Sequence, residues 1–271
     1  MPKLTRRNFM KSLGVGALAG VGTGALAQDC SDWLSLEHTE LKLARWNAEG
    51  FKVGLIADFH MNSPAERDRA QKAVAMTVAE KPDLIVIAGD FVNKSDRKTL
   101  DNIPVALQPI SDGSIPCVAV MGNHDYWCQH PALIVETVNR CKVKMLKNEM
   151  FELQGVSVAG LDDAFEGLES YEFFPENRVS CSCLAVLHEP DYVVDMPTHV
   201  SLQVSGHTHG GQICLPFGVP LHTPVKGRNY VSGFFPDANV PLYVTRGVGT
   251  SGVNYRLFCR PEVSILTLRS A

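Results

Sequence analysis

This sequence has no Gly-x-Ser-x-Gly run and no Gly-x-x-x-x-Gly-Lys run. Neither a strand-turn serine nucleophile nor a P-loop phosphate cradle is therefore available to it. Positive charge is not in excess either: 25 Lys and Arg stand against 29 Asp and Glu, for a formal net charge of −4. Lys3, Arg6, Arg7 and Lys11 precede Gln28 and no acid does, which leaves −8 for residues 28–271. That balance argues against a nucleic-acid groove. The Gly/Ala/Leu-rich stretch Ser12 to Ala25 is shorter than the ~20 residues of a membrane-spanning helix. With 45% hydrophobic and 20% charged residues, the composition indicates neither a disordered chain nor a multi-spanning membrane protein. A length of 271 residues suits one large domain.

What stands at the front is an address. Thr5-Arg6-Arg7-Asn8-Phe9-Met10-Lys11 is followed by the weakly apolar stretch and then by Ala25-Leu26-Ala27, the three parts of a signal peptide in order. The paired arginines resemble the twin-arginine signal. The expectation is a twin-arginine-type signal over residues 1–27, cut after Ala27, with 28–271 as a single domain exported to the periplasm or another extracytoplasmic site. An anchor helix is the alternative; five glycines in the stretch make a poor helix. Eight cysteines would permit disulfides, but a chain this size has a core of its own, and most read as buried thiols. Cys181 and Cys183 fit neither a zinc knuckle nor a redox pair.

After an expected hairpin (Thr39 to Trp46, turn at Asn47 to Gly50), one pattern recurs five times: a short apolar run, then Asp, His or Asn. Phe51 to Ala57 leads to Asp58-Phe59-His60, Leu84 to Ala88 to Gly89-Asp90, and Cys117 to Met121 to Gly122-Asn123-His124-Asp125. Leu184 to Leu187 leads to His188, and Ser201 to Ser205 to Gly206-His207-Thr208-His209-Gly210-Gly211. Such runs read as strands buried on both faces. Helical spacing over Glu66 to Glu80 makes a βαβ unit, and Pro131 with Leu133, Ile134 and Val138 starts a second crossover helix. Functional groups collect at the carboxyl ends of strands in layered α/β sheets. Within an extended Asp-x-His or His-x-His, residues i and i+2 face one centre.

The ordered set Asp-x-His, Gly-Asp, Gly-Asn-His-Asp, lone His, Gly-His-x-His resembles the calcineurin-like metallophosphoesterase family. Gly211-Gln212, Thr245 to Gly249 and Cys259-Arg260-Pro261-Glu262 extend the resemblance toward its YaeI/YkuE-like branch. The resemblance implies a four-layer αββα sandwich, two mixed β-sheets flanked by helices. It implies that Asp58, His60, Asp90 and His209 hold one divalent metal and that Asp90, Asn123, His188 and His207 hold a second. The ions are Mn, Fe, Zn or Co by ligand type, with Mn the first choice. Two such ions would generate a bridging hydroxide from water and clamp the phosphate, with His124 as general acid and Asp125 orienting its ring. The implied activity is that of a phosphodiesterase or pyrophosphatase on a phosphate ester or pyrophosphate, lipid-linked or nucleotide-linked, with the Tat export machinery as a partner. Hydrolysis of UDP-2,3-diacylglucosamine is the alternative substrate reading, and a non-catalytic metal-binding scaffold the alternative of another class.

Other residues carry two readings. Arg246, before Gly247 and Gly249, is a phosphate-binding candidate or a surface ion pair; Arg256 is a weaker candidate. Phe217, Tyr230, Phe234 and Phe235 line an apolar substrate channel or belong to the core; with the exported address, the former makes peripheral membrane association an expectation. Tyr126 and Trp127 shape the mouth of the site or pack. His38, His130, His199 and His222 read as surface or turn residues, His222 being the one to watch because it lies in a long Pro/Gly-rich loop.

Overall fold

The computed structural model describes residues 29–93, 97–174 and 182–271. Residues 1–27, where a signal is expected, and Cys181 lie outside them. Its strands are β1 Ser35–Leu43, β2 Phe51–Ile56, β3 Leu84–Ala88, β4 Cys117–Val120, β5 Lys144–Met145, β6 Glu149–Leu153, β7 Val156–Gly160, β8 Ser182–Val186, β9 Leu202–Ser205, β10 Cys214–Leu215, β11 Val219–Pro220, β12 Gly233–Phe235, β13 Leu242–Val244 and β14 Glu262–Ser270. The helices are α1 Pro64–Ala79, α2 Arg97–Leu100, α3 Asn102–Ser111, α4 Asn123–Tyr126 and α5 Pro131–Arg140.

Two mixed six-stranded sheets form, in the orders β1-β14-β2-β3-β4-β5 and β12-β13-β9-β8-β7-β6. Continuous apolar strands demand cover on both faces, and three layers of core supply it. Between the sheets lie Val53, Leu55, Val86, Val118, Val158, Leu184, Val204 and Leu266, all fully or almost fully buried. The outer face of the first sheet packs Ile85, Ile87 and Ala119 against α1, α3 and α5 through Ala73, Ile103, Leu107, Ile134 and Val138. The outer face of the second packs Ala185, Leu242 and Val244 on the 3₁₀ helix Pro190–Asp195 through Val193. The fold is the expected pair of mixed sheets flanked by helices.

Helix α1 begins two residues ahead of the purely periodic reading because Pro64 sits at its first position and Ser63 caps it, accepting a hydrogen bond from the Glu66 amide. Glu66 in turn accepts from the Asn62 amide, so the loop leaving β2 is tied to the helix that follows.

The expected first hairpin does not form. β1 starts earlier, at Ser35, and pairs in parallel with β14 from Ser35↔Glu262 to Leu43↔Ser270; β14 then pairs antiparallel with β2. The C-terminal strand is inserted between the two strands that sequence proximity joins, and it buries Val263, Ile265, Leu266 and Leu268 in doing so.

Because β14 is internal to its sheet, Leu266→Ala should destabilise the protein by about 2–5 kcal/mol. Val194→Ala, at a site 61% exposed, should shift it by no more than about 0.5 kcal/mol. Urea unfolding followed by circular dichroism measures both.

Candidate metal centre

The loops leaving β2, β3, β4, β8 and β9 meet at one end of the sandwich. His60 Nε2 lies 2.9 Å from His209 Nε2 and 3.4 Å from Asp90 Oδ2. Asp58 Oδ1 is 3.5 Å from His209 Nε2 and 3.9 Å from His60 Nε2. On the other side of Asp90, His188 Nε2 is 3.2 Å from the same Oδ2. His207 Nδ1 and Asn123 Oδ1 are 3.0 Å apart. All seven predicted ligand residues are buried, and they come together. Asp90 lies between the two groups.

The local backbone achieves this differently from the extended alternation expected. Asp58 (φ 57°), His60 (φ 47°), Asp90 (φ 58°), His207 (φ 70°) and His209 (φ 53°) all occupy the left-handed region, whereas Thr208 between the last two is right-handed helical. Non-glycine residues there are uncommon, and five at one place mark a functional site. Neighbouring loops hold the conformation. The amides of Asp58 and His60 donate to the carbonyls of Gly89 and Asp90, and the amide of Gly249 to that of Asp58. The His207 amide donates to the Asp58 carboxylate at 3.1 Å, joining the two sheets. Gly122 is required: a Cβ there would collide with the Asp90 carboxylate.

Hydrogen bonds also set the histidine tautomers. His188 Nδ1 donates to the Ala88 carbonyl at 2.6 Å, which aims Nε2 inward, where it has no hydrogen-bond partner. His207 Nε2 donates to the Val225 carbonyl at 2.8 Å, so its Nδ1 lone pair confronts the Asn123 carbonyl oxygen. Carbonyls that fix the distal nitrogen are the usual support of metal-binding imidazoles. Burial pushes His60 down to about 3 and, helped by the His188 charge, His207 down to about 4. Both are neutral at pH 7, their lone pairs free. Burial pushes Asp58 up to about 7. Burial opposes charge on Asp90 and His188 too, but their mutual attraction wins, holding Asp90 well below and His188 well above their ordinary values. A site crowded with buried acceptors, with His60 Nδ1 and His188 Nε2 lacking hydrogen-bond partners, calls for positive charge, and divalent cations fit this oxygen and nitrogen donor set.

Two expectations meet a different arrangement. The Asp125 carboxylate does not face the His124 ring: it accepts from the amides of Asp90, Phe91, Val92 and Gly122 and so shapes the Asp90 loop. The His124 ring is steadied instead by the Asn93 carbonyl, 3.3 Å from Nδ1, and by edge contact with His60 at 4.7 Å. The Arg246 guanidinium is turned away to Ser35, Glu37 and Glu262, taking the ion-pair alternative, because β14 brings Glu262 beside it. His38, His130 and His222 are exposed and His199 half-buried against Phe174, all apart from the centre.

Trp127, half-exposed, packs against His124 and Phe165 at the mouth, and Tyr126 donates to Asp162. Tyr230, Phe234 and Phe235 pack against core clusters; Phe217 does not. The cysteines at 30, 117, 128, 141, 214 and 259 are buried free thiols, and Cys183 is buried as well.

Arg256, the weaker phosphate-binding candidate, takes a positioning role instead, and Glu189 escaped the sequence. Arg256 is fully buried, donating to the carbonyls of His209, Arg246, Gly247 and Gly249, so one guanidinium ties the His209 loop to the segment behind Asp58. Glu189, also fully buried, accepts from the Ala164 amide and offers a carboxylate oxygen within 4.8 Å of ligand atoms of His188 and His207. Its place directly after His188 was the available signal.

The sequence profile of the calcineurin-like phosphoesterases matches residues 51–211. The metallophosphoesterase YkuE of Bacillus subtilis is 30% identical over 286 aligned residues, covering 100% of this chain and 99% of its own. The phosphodiesterase YaeI of Escherichia coli is 29% identical over 277, covering 98% and 99%. A dimetal phosphatase from Danio rerio superposes with a TM-score of 0.48 at 14% identity, over 74% of this chain and 88% of that one. With those loops, the profile match over residues 51–211 and the match to YkuE over the whole chain, the chain belongs to the calcineurin-like phosphoesterase family and is a metal-dependent phosphoester hydrolase.

Proposed function

We propose that the protein is an exported dinuclear phosphodiesterase or pyrophosphatase, with manganese its working metal. The observation that carries this reading is the shared Asp90 oxygen, 3.4 Å from His60 Nε2 and 3.2 Å from His188 Nε2, which suits a carboxylate bridging two ions. Asp58, His60, Asp90 and His209 would hold one ion, and Asp90, Asn123, His188 and His207 the other. Such a pair supplies hydroxide near neutral pH and neutralises phosphate oxygens.

The chain's own groups divide the remaining work. His124 is half-buried beside His60, and its Nδ1 proton is engaged by Asn93; Nε2 is then the atom that gives a proton to the leaving oxygen. Asp125 acts through the backbone, fixing the Asp90 loop. Trp127 and Phe165 wall the mouth, which excludes water from one side of the substrate. The exposed apolar side chains between Leu215 and Val225 support a lipid-linked diphosphate, of the UDP-2,3-diacylglucosamine kind, as the second substrate reading; a nucleotide-linked ester is the other. The signal-like segment, paired arginines included, supports a periplasmic or other extracytoplasmic location reached through the Tat machinery, where folding and metal loading precede export.

Bis-p-nitrophenyl phosphate with Mn should be hydrolysed and activity should vanish on chelation; metal-loaded protein silent on mono-, di- and pyrophosphates alike would favour the scaffold. Asp90→Ala should empty both sites, read as metal content by plasma emission, and two tightly bound ions in that variant would remove Asp90 from the bridge. His124→Ala should keep both ions and lose about 10²- to 10⁴-fold in rate on diesters with poor leaving groups; loss of metal instead would end its role as proton donor.

A further inference from the structure

Gly210 to Val225 contains no Asp, Glu, Lys or Arg. Within it β10 and β11 form a two-stranded hairpin, Cys214↔Pro220 and Leu215↔Val219, whose tip presents Leu215, Phe217 and Val219 to solvent. Phe217 is 102% exposed, in a left-handed conformation (φ 71°). A bulky residue pays nothing into the core from there and is strained as well. Leu221 is exposed just past the hairpin, and exposed Phe258 follows Leu257, which bridges to Ile213 at its base. Contiguous apolar surface of this sort marks a binding face.

The rest of the chain indicates the occupant. Leu257 bridges on one side to Ile213, at the base of the hairpin, and on the other to Asp29, the first described residue. The sequence before Asp29 includes Ser12 to Ala25, also free of charged residues, and ahead of it Arg6, Arg7 and Lys11. Before cleavage after Ala27, an uncharged apolar segment therefore precedes Asp29 in the chain, and Asp29 lies at the edge from which the apolar hairpin projects, so export presents that edge to the membrane. The hairpin is also fixed to the metal centre: Pro220 lies so close to Gly211 that a Cβ there would collide with it, two residues from His209.

We propose that the Cys214–Pro220 hairpin is a membrane-docking element. Its apolar tip enters the headgroup and acyl boundary of a phospholipid bilayer, as amphipathic surface elements do, and holds the mouth of the metal centre at the lipid surface. The bearing on substrate choice rests on the hydrolase reading above; the docking itself does not.

Full-length protein carrying Phe217→Trp, mixed with phosphatidylcholine vesicles brominated on the acyl chains, should lose the emission that the new tryptophan adds to Trp33, Trp46 and Trp127. An added emission that the brominated lipid leaves untouched overturns the proposal. Replacing Leu215, Phe217 and Val219 together by Ser in the full chain should lower vesicle co-sedimentation about tenfold or more while soluble bis-p-nitrophenyl phosphate is hydrolysed as before. Undiminished binding would assign any membrane contact to the N-terminal segment and overturn it. So would a wild-type dimer that Phe217→Ser dissociates with vesicle binding unchanged, since the face would then be a contact between copies. Wild type that binds vesicles but hydrolyses no phosphoester would sustain the docking and sink the hydrolase reading.

Discussion

Buried negative charge at the confluence of five strand ends is the constraint from which the rest of this molecule follows. Asp58 and Asp90 are within 1% of complete burial, where an uncompensated carboxylate is costly. The fold neither removes them nor pairs them with lysine or arginine side chains. It surrounds them with four imidazoles, two of which, His188 and His207, have their distal nitrogens committed to the carbonyls of Ala88 and Val225, which aims the other nitrogen inward. Acceptors facing acceptors are stable only around positive charge, and a pair of divalent cations supplies it in a way a single proton on His188 does not.

The scaffold is shaped to that end. Each sheet contributes ligands from the carboxyl ends of adjacent parallel strands, β2, β3 and β4 from one and β8 and β9 from the other. Packing the two sheets face to face brings the sets into register, and the hydrogen bonds from the His207 amide to Asp58 lock them. Arg256 draws the loops from behind, its donors satisfied by backbone carbonyls. The left-handed backbone at five of the seven ligand residues is the conformational strain that these neighbours hold in place.

Much of this was legible because ligand chemistry follows short apolar runs: that alignment of strand exit and residue type marked the five clusters, and the family resemblance named the seven side chains within them. The βαβ unit and α5 were readable for a similar reason: local periodicity, Pro64 and Pro131 set them. What was hidden is non-local. The hairpin expected after Thr39 assumed that neighbours in sequence pair, but β14, more than two hundred residues on, competes for the same edge and wins by burying four aliphatic side chains. Arg246 carried two readings, phosphate binding or an ion pair, until β1 and β14 delivered Glu37 and Glu262. Asp125, adjacent to His124 in sequence, is turned toward the Asp90 loop by four backbone donors that no linear reading reveals. The left-handed φ values at Asp58 and His60 were invisible for another reason, since Asp-x-His is equally compatible with an extended chain.

The central claim is that these loops enclose two neighbouring cations sharing one carboxylate. Crystals of the protein grown with manganese and measured across the Mn absorption edge would test it directly. The account expects two anomalous peaks about 3.5–4 Å apart, one against Asp58, His60 and His209, one against Asn123, His188 and His207, with Asp90 touching both. A single peak, or two peaks with Asp90 bound to neither, would contradict it.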